Sequence, residues 1–172
     1  MADTRRTPPP ADPTRFDLAN RLYFRLYQSS NLMHKVGTRA VSSFGSTTQQ
    51  WAVLGALARP RVGQAGMSVK ELIAFLMLTR QNLSIVLDRL ESRGWIERVQ
   101  DLEDRRSRRI RLTDTGQAEW ARMLEEIRSF YDVSLAGLSS DELLQLYRLL
   151  DRLRDGLAAM AADDNGREEE PA

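Results

Sequence analysis

The sequence predicts a mainly helical chain that carries one small β-hairpin. Three observations carry the prediction. Apolar residues recur every three or four positions over long stretches, notably from Leu18 to Val36 and from Leu143 to Met160. Three capping boxes, Thr47-x-x-Gln50, Ser68-x-x-Glu71 and Ser139-x-x-Glu142, mark helix starts. Only between Trp95 and Leu112 does the apolar period fall to two, on either side of a charged run.

The elements follow in order. Residues 1–13 are polar and proline-rich and read as a disordered arm. A long helix opens at Thr14, with Leu18, Leu22, Leu26, Leu32, Met33 and Val36 as its stripe, and fades between Gly37 and Gly45. The Thr47 box starts a second helix through Trp51, Val53, Leu54 and Leu57. Pro60, Gly63 and Gly66 mark a loop. The Ser68 box opens a short helix to about Leu76. Thr79 begins another, with Leu83, Val86, Leu87 and Leu90 inward and Gly94 as its stop. Two helices joined so tightly form a helix-turn-helix pattern. "WIERV" (95–99) and "RRIRL" (108–112) form the hairpin, and a hairpin directly after a helix-turn-helix makes a wing. Thr113 starts a long helix through Trp120, Met123, Ile127 and Tyr131. The Ser139 box starts the last, where Leu143, Leu146, Leu150, Leu153, Leu157 and Met160 alternate spacings of three and four. From residue 163 the acidic chain reads as a disordered tail. There is no internal repeat.

Charge narrows the function. The formal net charge is +1, yet residues 163–172 carry −4, and the rest is therefore +5. Nine arginines and six acids lie between Arg80 and Arg111, and five of those arginines fall within residues 105–111. Clustered positive charge is the footprint of a nucleic-acid surface; the plainer alternative is a solvated face in an arginine-rich chain, with 23 Arg against 2 Lys. No cysteine is present, which excludes disulfides, thiolate metal sites and thiol redox sensing and fits a cytoplasmic setting. His34 is the only histidine, so no metal site is expected. No apolar run approaches the ~18 residues of a membrane span, and the opening residues lack a secretory signal's apolar stretch. No nucleophile–base constellation and no glycine-rich phosphate loop appear, so neither enzyme activity nor a cofactor is expected.

The stretches "LTRQNLSIVLDRLESRGWIERV" and "DLEDRRSRRIRLTDTG" resemble the multiple-antibiotic-resistance-regulator (MarR) family of bacterial transcription factors. Asp104 and Arg106 match the family's Asp-x-Arg at the wing tip, and Leu112, Thr113 and Gly116 its Leu-Thr-x-x-Gly close. The resemblance covers residues 17 to 160. It implies a homodimer built by residues 14–46 and 113–162, a winged helix-turn-helix at 47–112, double-stranded DNA with an inverted-repeat operator as partner, and a small effector that releases a repressor. "LMLTRQNLSIVLDRL" is similar to members controlling breakdown of aromatic acids, which points to an aromatic carboxylate or its CoA thioester. A ligand-independent DNA-binding protein of the same fold is the alternative.

Site residues follow from position. At the start of the recognition helix Arg80, Gln81, Asn82, Ser84 and Ile85 point outward; Arg reaches guanine and Gln or Asn adenine bidentately. Thr79 caps the helix and is placed to donate to a phosphate, and Asp88 pairs with Arg89, itself a candidate contact. In the wing, the resemblance makes Arg106 the minor-groove arginine and Asp104 its orienting carboxylate. Arg105, Arg108 and Arg109 are candidates for flanking phosphates, although strand alternation divides Arg109 and Arg111 from Ile110 and Leu112. Tyr23, Tyr27, His34, Arg39 and Trp51 are candidate ligand contacts; core packing is the alternative for the aromatics. Leu18, Leu22, Leu143, Leu146, Leu150, Leu153 and Leu157 are the candidate dimer interface.

Overall fold

The computed structural model describes residues 13–101 and 108–168; the expected N-terminal arm up to residue 12, the wing-tip residues Asp104, Arg105 and Arg106, and residues 169–172 lie outside them. The chain divides into two compact units, Met1–Phe130 and Tyr131–Ala172.

The first unit begins with α1, Pro13–Ala40. Proline suits the first helical position because its missing N–H has no intrahelical partner to lose. A 3-10 turn, Ser42–Phe44, closes on Gly45 in the left-handed region (φ 60°). Helix α2, Thr48–Leu57, starts at the expected capping box, with Gln50 N bonded to Thr47 Oγ1 and Thr47 N to Gln50 Oε1. After a loop comes a strand the sequence did not signal: β1, Met67–Ser68. Two residues are too few to show alternation. Helix α3 is Val69–Leu76 and α4 is Arg80–Ser92. The turn between them places Met77 at φ 54°, ψ 37°, a left-handed conformation more often given to glycine.

The wing strands are β2, Ile96–Gln100, and β3, Arg108–Leu112. They pair antiparallel in the register Ile96↔Leu112 to Gln100↔Arg108, and β1 adds to the other edge of β3 through Met67↔Ile110. The hairpin is thus a three-stranded sheet in the order β1-β3-β2. One face completes the core: Ile96, Ile110 and Leu112 pack with Val53, Leu54, Leu72, Leu83, Leu87 and Leu90. Helix α5, Asp114–Leu135, adds Met123 and Ile127 to this core.

The second unit holds the end of α5 and helix α6, Ser140–Glu168. The Ser139–Glu142 capping box forms, with Ser139 N 2.8 Å from Glu142 Oε2. Helix α6 outruns the boundary expected at residue 162, because Ala158, Ala159, Ala161 and Ala162 favour helix and no breaker intervenes before Gly166. Among the described residues no helix is long and apolar enough to cross a membrane.

Candidate nucleic-acid interface and adjoining cleft

Helix α4 is two-faced. Leu83, Val86, Leu87 and Leu90 are buried, while Arg80, Gln81, Asn82, Ser84, Ile85 and Arg89 are exposed. Thr79 is the N-cap, its hydroxyl accepting from Asn82 N at 3.2 Å. The predicted outward set therefore occupies one solvent-facing surface at the helix start, where unpaired backbone N–H groups already favour an anion.

Apart from Arg93, whose guanidinium donates to Phe44 O and Gly45 O and lies over the Trp95 ring, the described arginines of this region divide into two groups. Arg80, Arg89 and Arg108 are exposed and pair with no carboxylate among the described residues. Arg98, Arg109 and Arg111 are each engaged. Arg98 reaches back from β2 to Asp88 (2.6 Å) and Glu91 (3.1 Å) on α4. The Asp88–Arg89 pair expected from sequence does not form: adjacent helix residues diverge by about 100°, and Asp88 finds Arg98 instead. Asp88 lies on the outward face, so Arg98 neutralises a carboxylate that would oppose a phosphate. Arg111 pairs with Glu97 at 2.7 Å, directly across the ladder.

Arg109 is corrected from phosphate candidate to internal tie. Its Nε donates to Ala65 O and Nη2 to Gly66 O, both at 2.8 Å; Nη1 meets Asp101 Oδ2 and Nη2 meets Glu71 Oε2, both at 3.2 Å. Glu71 also completes the α3 capping box. The Ser68 backbone N–H, 2.6 Å from Glu71 Oε2, holds this carboxyl below its ordinary range, and the Ser68 hydroxyl and Arg109 add to the effect.

The Leu-Thr-x-x-Gly close splices the wing to α5. Leu112 is buried at the end of β3. Thr113 caps α5: its hydroxyl donates to Gly94 O (2.6 Å) and accepts from Gly116 N (3.0 Å), and its backbone N–H donates to Trp95 O (3.1 Å). Gly116 lies so close to Trp95 that a Cβ would overlap the Trp95 carbonyl oxygen. Glycine is required there by approach rather than by backbone conformation.

Beside the helix-turn-helix is a cleft of about 400 Å³, lined by Met33, His34, Thr48, Gln49, Trp51, Ala52, Leu76 and Leu78. His34 Nδ1 lies 2.8 Å from Thr48 Oγ1, and Trp51 stacks edge-on against Phe130. Of the candidate ligand contacts, His34 and Trp51 share this cleft. Tyr23 and Tyr27 line a separate groove along α1 with Asn20 and Phe24. Arg39, exposed near the end of α1, lines neither. Leu76 and Leu78 carry only the apolar character of core residues and Thr48 and Gln49 only that of a helix's first turn, so no local pattern marks these four as lining. Trp95 is buried and Trp120 packs partly buried on the core.

Helix-turn-helix, three-stranded wing and a basic outward face together define a winged-helix DNA-binding protein. The chain belongs to the MarR family of transcriptional regulators: the family's sequence profile matches residues 44–107. The transcriptional activatory protein BadR of Rhodopseudomonas palustris is 44% identical over 94% of this chain and 97% of its own length. The homoprotocatechuate degradative operon repressor of Escherichia coli is 30% identical over 61% of this chain and 68% of its own. Among solved structures, a mutant of Escherichia coli MarR complexed with operator DNA shares the fold, with a TM-score of 0.70, 24% identity and coverage of 83% of this chain and 99% of that one. The protein is a DNA-binding transcriptional regulator and not an enzyme.

Proposed function

We propose that the protein is a homodimer whose occupancy of an inverted-repeat operator is controlled by an aromatic acid or its CoA thioester. Helix α4 enters the major groove with Arg80, Gln81, Asn82, Ser84 and Ile85 toward base edges, Thr79 and Arg89 toward the backbone, and Arg108 on a flanking phosphate. Asp104, Arg105 and Arg106 at the wing tip serve the neighbouring minor groove. The observation that carries this reading is the division of the arginines: among the described residues Arg80 and Arg89 on α4 and Arg108 at the start of β3 are exposed and pair with no carboxylate, while Arg98, Arg109 and Arg111 are neutralised. Exposed leucines support the dimer. Leu18 and Leu22 on α1 are 67% and 48% exposed, and Leu146, Leu150 and Leu157 on α6 are 42–45% exposed, while Leu143 and Leu153 are half-buried. A monomer would leave these surfaces in water.

The cleft supports the effector. Its volume falls within the range of small-molecule sites, and an aromatic ring suits its Trp51, Leu76 and Leu78 lining. Among the described residues no Arg or Lys lines it. A naked carboxylate buried there would lose hydration with His34 as its one candidate cation among the described lining, and that ring already lies 2.8 Å from Thr48 Oγ1. A neutral thioester carbonyl hydrogen-bonded by Gln49 avoids that cost provided the CoA phosphates stay in water outside the cleft, so the thioester is the favoured form. BadR is named an activator and the Escherichia coli relative a repressor. Control of occupancy serves either output, depending on where the operator lies relative to the promoter.

The test is a DNA shift assay on the flanking intergenic DNA with benzoates, hydroxycinnamates and their CoA thioesters, paired with calorimetry. A tenfold change in operator affinity requires about 1.4 kcal/mol of differential affinity for the two states. Binding of one thioester with a change in operator affinity supports the reading. Operator binding indifferent to all of them identifies a ligand-independent regulator instead.

A further inference from the structure

The base of the wing is held from both of its faces. On the core-facing side of β2, Arg98 spans Asp88 and Glu91 of the recognition helix. On the opposite face of β3, Arg109 ties together the Ala65 and Gly66 carbonyls, Asp101 at the end of β2, and Glu71 in the capping box of α3. Each strand has only five residues, and β1 braces the sheet with two. Such a short hairpin twists readily about its ladder, so its angle to α4 is set by what grips its sides.

The contacts made by Arg98 and by Glu71 contribute little to fold stability, whereas Arg109 and Asp101, 26% and 13% exposed, form a shielded pair. Arg98 is 37% exposed with partners at 68% and 42%, and Glu71 is 51% exposed. Exposed ion pairs of this kind contribute weakly. Geometry is their distinguishing feature: a guanidinium is a rigid fork that meets several oxygens in fixed directions, which an ammonium cannot do. Both forks join the wing to the two helices of the helix-turn-helix, Arg98 to α4 and Arg109 to α3.

We infer that Arg98 and Arg109 are positioning residues for DNA recognition, which fix the angle of the wing relative to the recognition helix and touch no phosphate themselves. The inference rests on the reading that α4 and Arg108 contact DNA. A two-part interface binds well only when both parts reach the duplex together, and the wing and α4 are separate elements joined by a short turn at Gly94. Loss of either fork lets the wing swing, so Arg108 and Arg80 no longer engage in one register.

Glu71→Gln provides the decisive variant. Glutamine at that position still completes a capping box, so α3 keeps its start. The change removes a negative charge near a DNA surface, which by charge alone strengthens binding. The positioning role predicts the opposite: operator affinity falls roughly three- to tenfold, with the slope of log affinity against log salt unchanged. Arg109→Lys and Arg98→Lys keep the charge and lose the fork, and both fall similarly without a change of slope. Arg108→Ala, as the control, loses affinity and reduces the slope by about one. Far-ultraviolet circular dichroism and melting temperature close to wild type exclude unfolding, and Glu71→Gln tests the inference even where an arginine variant does not fold. Unchanged or tighter binding by Glu71→Gln, or full rescue by both lysines, overturns the inference. If Arg108→Ala and Arg80→Ala also bind like wild type, the underlying assignment of the DNA surface is what has failed.

Discussion

Gly116→Ala tests whether the wing and α5 are locked together. The added Cβ overlaps the Trp95 carbonyl oxygen and falls 2.7 Å from its carbonyl carbon. Both partners are backbone, so no side-chain rotation relieves the clash; α5 or the entry to β2 must move. Forced overlap of this kind costs about 1–3 kcal/mol. Displacement also breaks the Thr113 N–H···O=C Trp95 bond of 3.1 Å, at about 1 kcal/mol. Alanine's better helix propensity returns about 1 kcal/mol. The net is a loss of about 1–3 kcal/mol. For a chain of this size each kcal/mol shifts the melting temperature by about 2–4 °C, so a drop of about 2–12 °C is expected. Scanning calorimetry at one protomer concentration measures it, because dimer stability depends on concentration. Gly137→Ala is the control: nothing lies within 4 Å of its Cβ position, and the same mutation there is expected to be neutral or to stabilise by about 0.4–1 kcal/mol. Equal melting temperatures for wild type and Gly116→Ala would show that α5 slides away freely and that the splice is not rigid.

Further outcomes follow from the same geometry. Replacing Leu150 and Leu153 with Asp is expected to give an unfolded or monomeric protein without operator binding, read by sedimentation and DNA shift; a folded monomer of full affinity removes the dimer. Arg80→Ala is expected to cost about 1–3 kcal/mol on the operator and to relax preference at one base pair, read with a panel of single-substituted operators; a uniform loss across the panel makes it a phosphate contact. The Glu71 carboxyl is held below its ordinary range in the folded chain. Its stabilising contribution is therefore present above the unfolded carboxylate value and lost as pH falls through the depressed one. The stability difference between wild type and Glu71→Gln should shrink on acidification from about pH 6 to about pH 3, and a constant difference across that range refutes it.

Much of the fold was legible because it is written in local terms. The capping boxes at Thr47, Ser68 and Ser139 each form a helix start, and the inward stripe of α4 is the one read from its spacing. Strand alternation separated Ile110 and Leu112 from Arg109 and Arg111. Long-range ties were not legible. Sequence neighbours suggested Asp88 with Arg89, whereas Asp88 meets Arg98 across the helix–strand turn. Arg109 read as one more member of a basic run, since nothing local announces that carbonyls at 65 and 66 lie beside it. The two-residue strand β1 had no pattern to display. The cleft is only partly written in the sequence, because Leu76 and Leu78 carry the apolar signature of core residues while bordering open space.

The left-handed Met77 has a mechanical consequence. Leu76 and Leu78 form part of the cleft wall, Met77 stands alone between them, and the next residue, Thr79, is the cap of α4. The left-handed basin for a side-chain-bearing residue is small, so its torsions have little room to flex. A joint of that kind is a stiff elbow rather than a slack tether. With Met77 held so, only Thr79 separates Leu78 of the cleft wall from the first turn of α4, where Arg80, Gln81 and Asn82 are mounted.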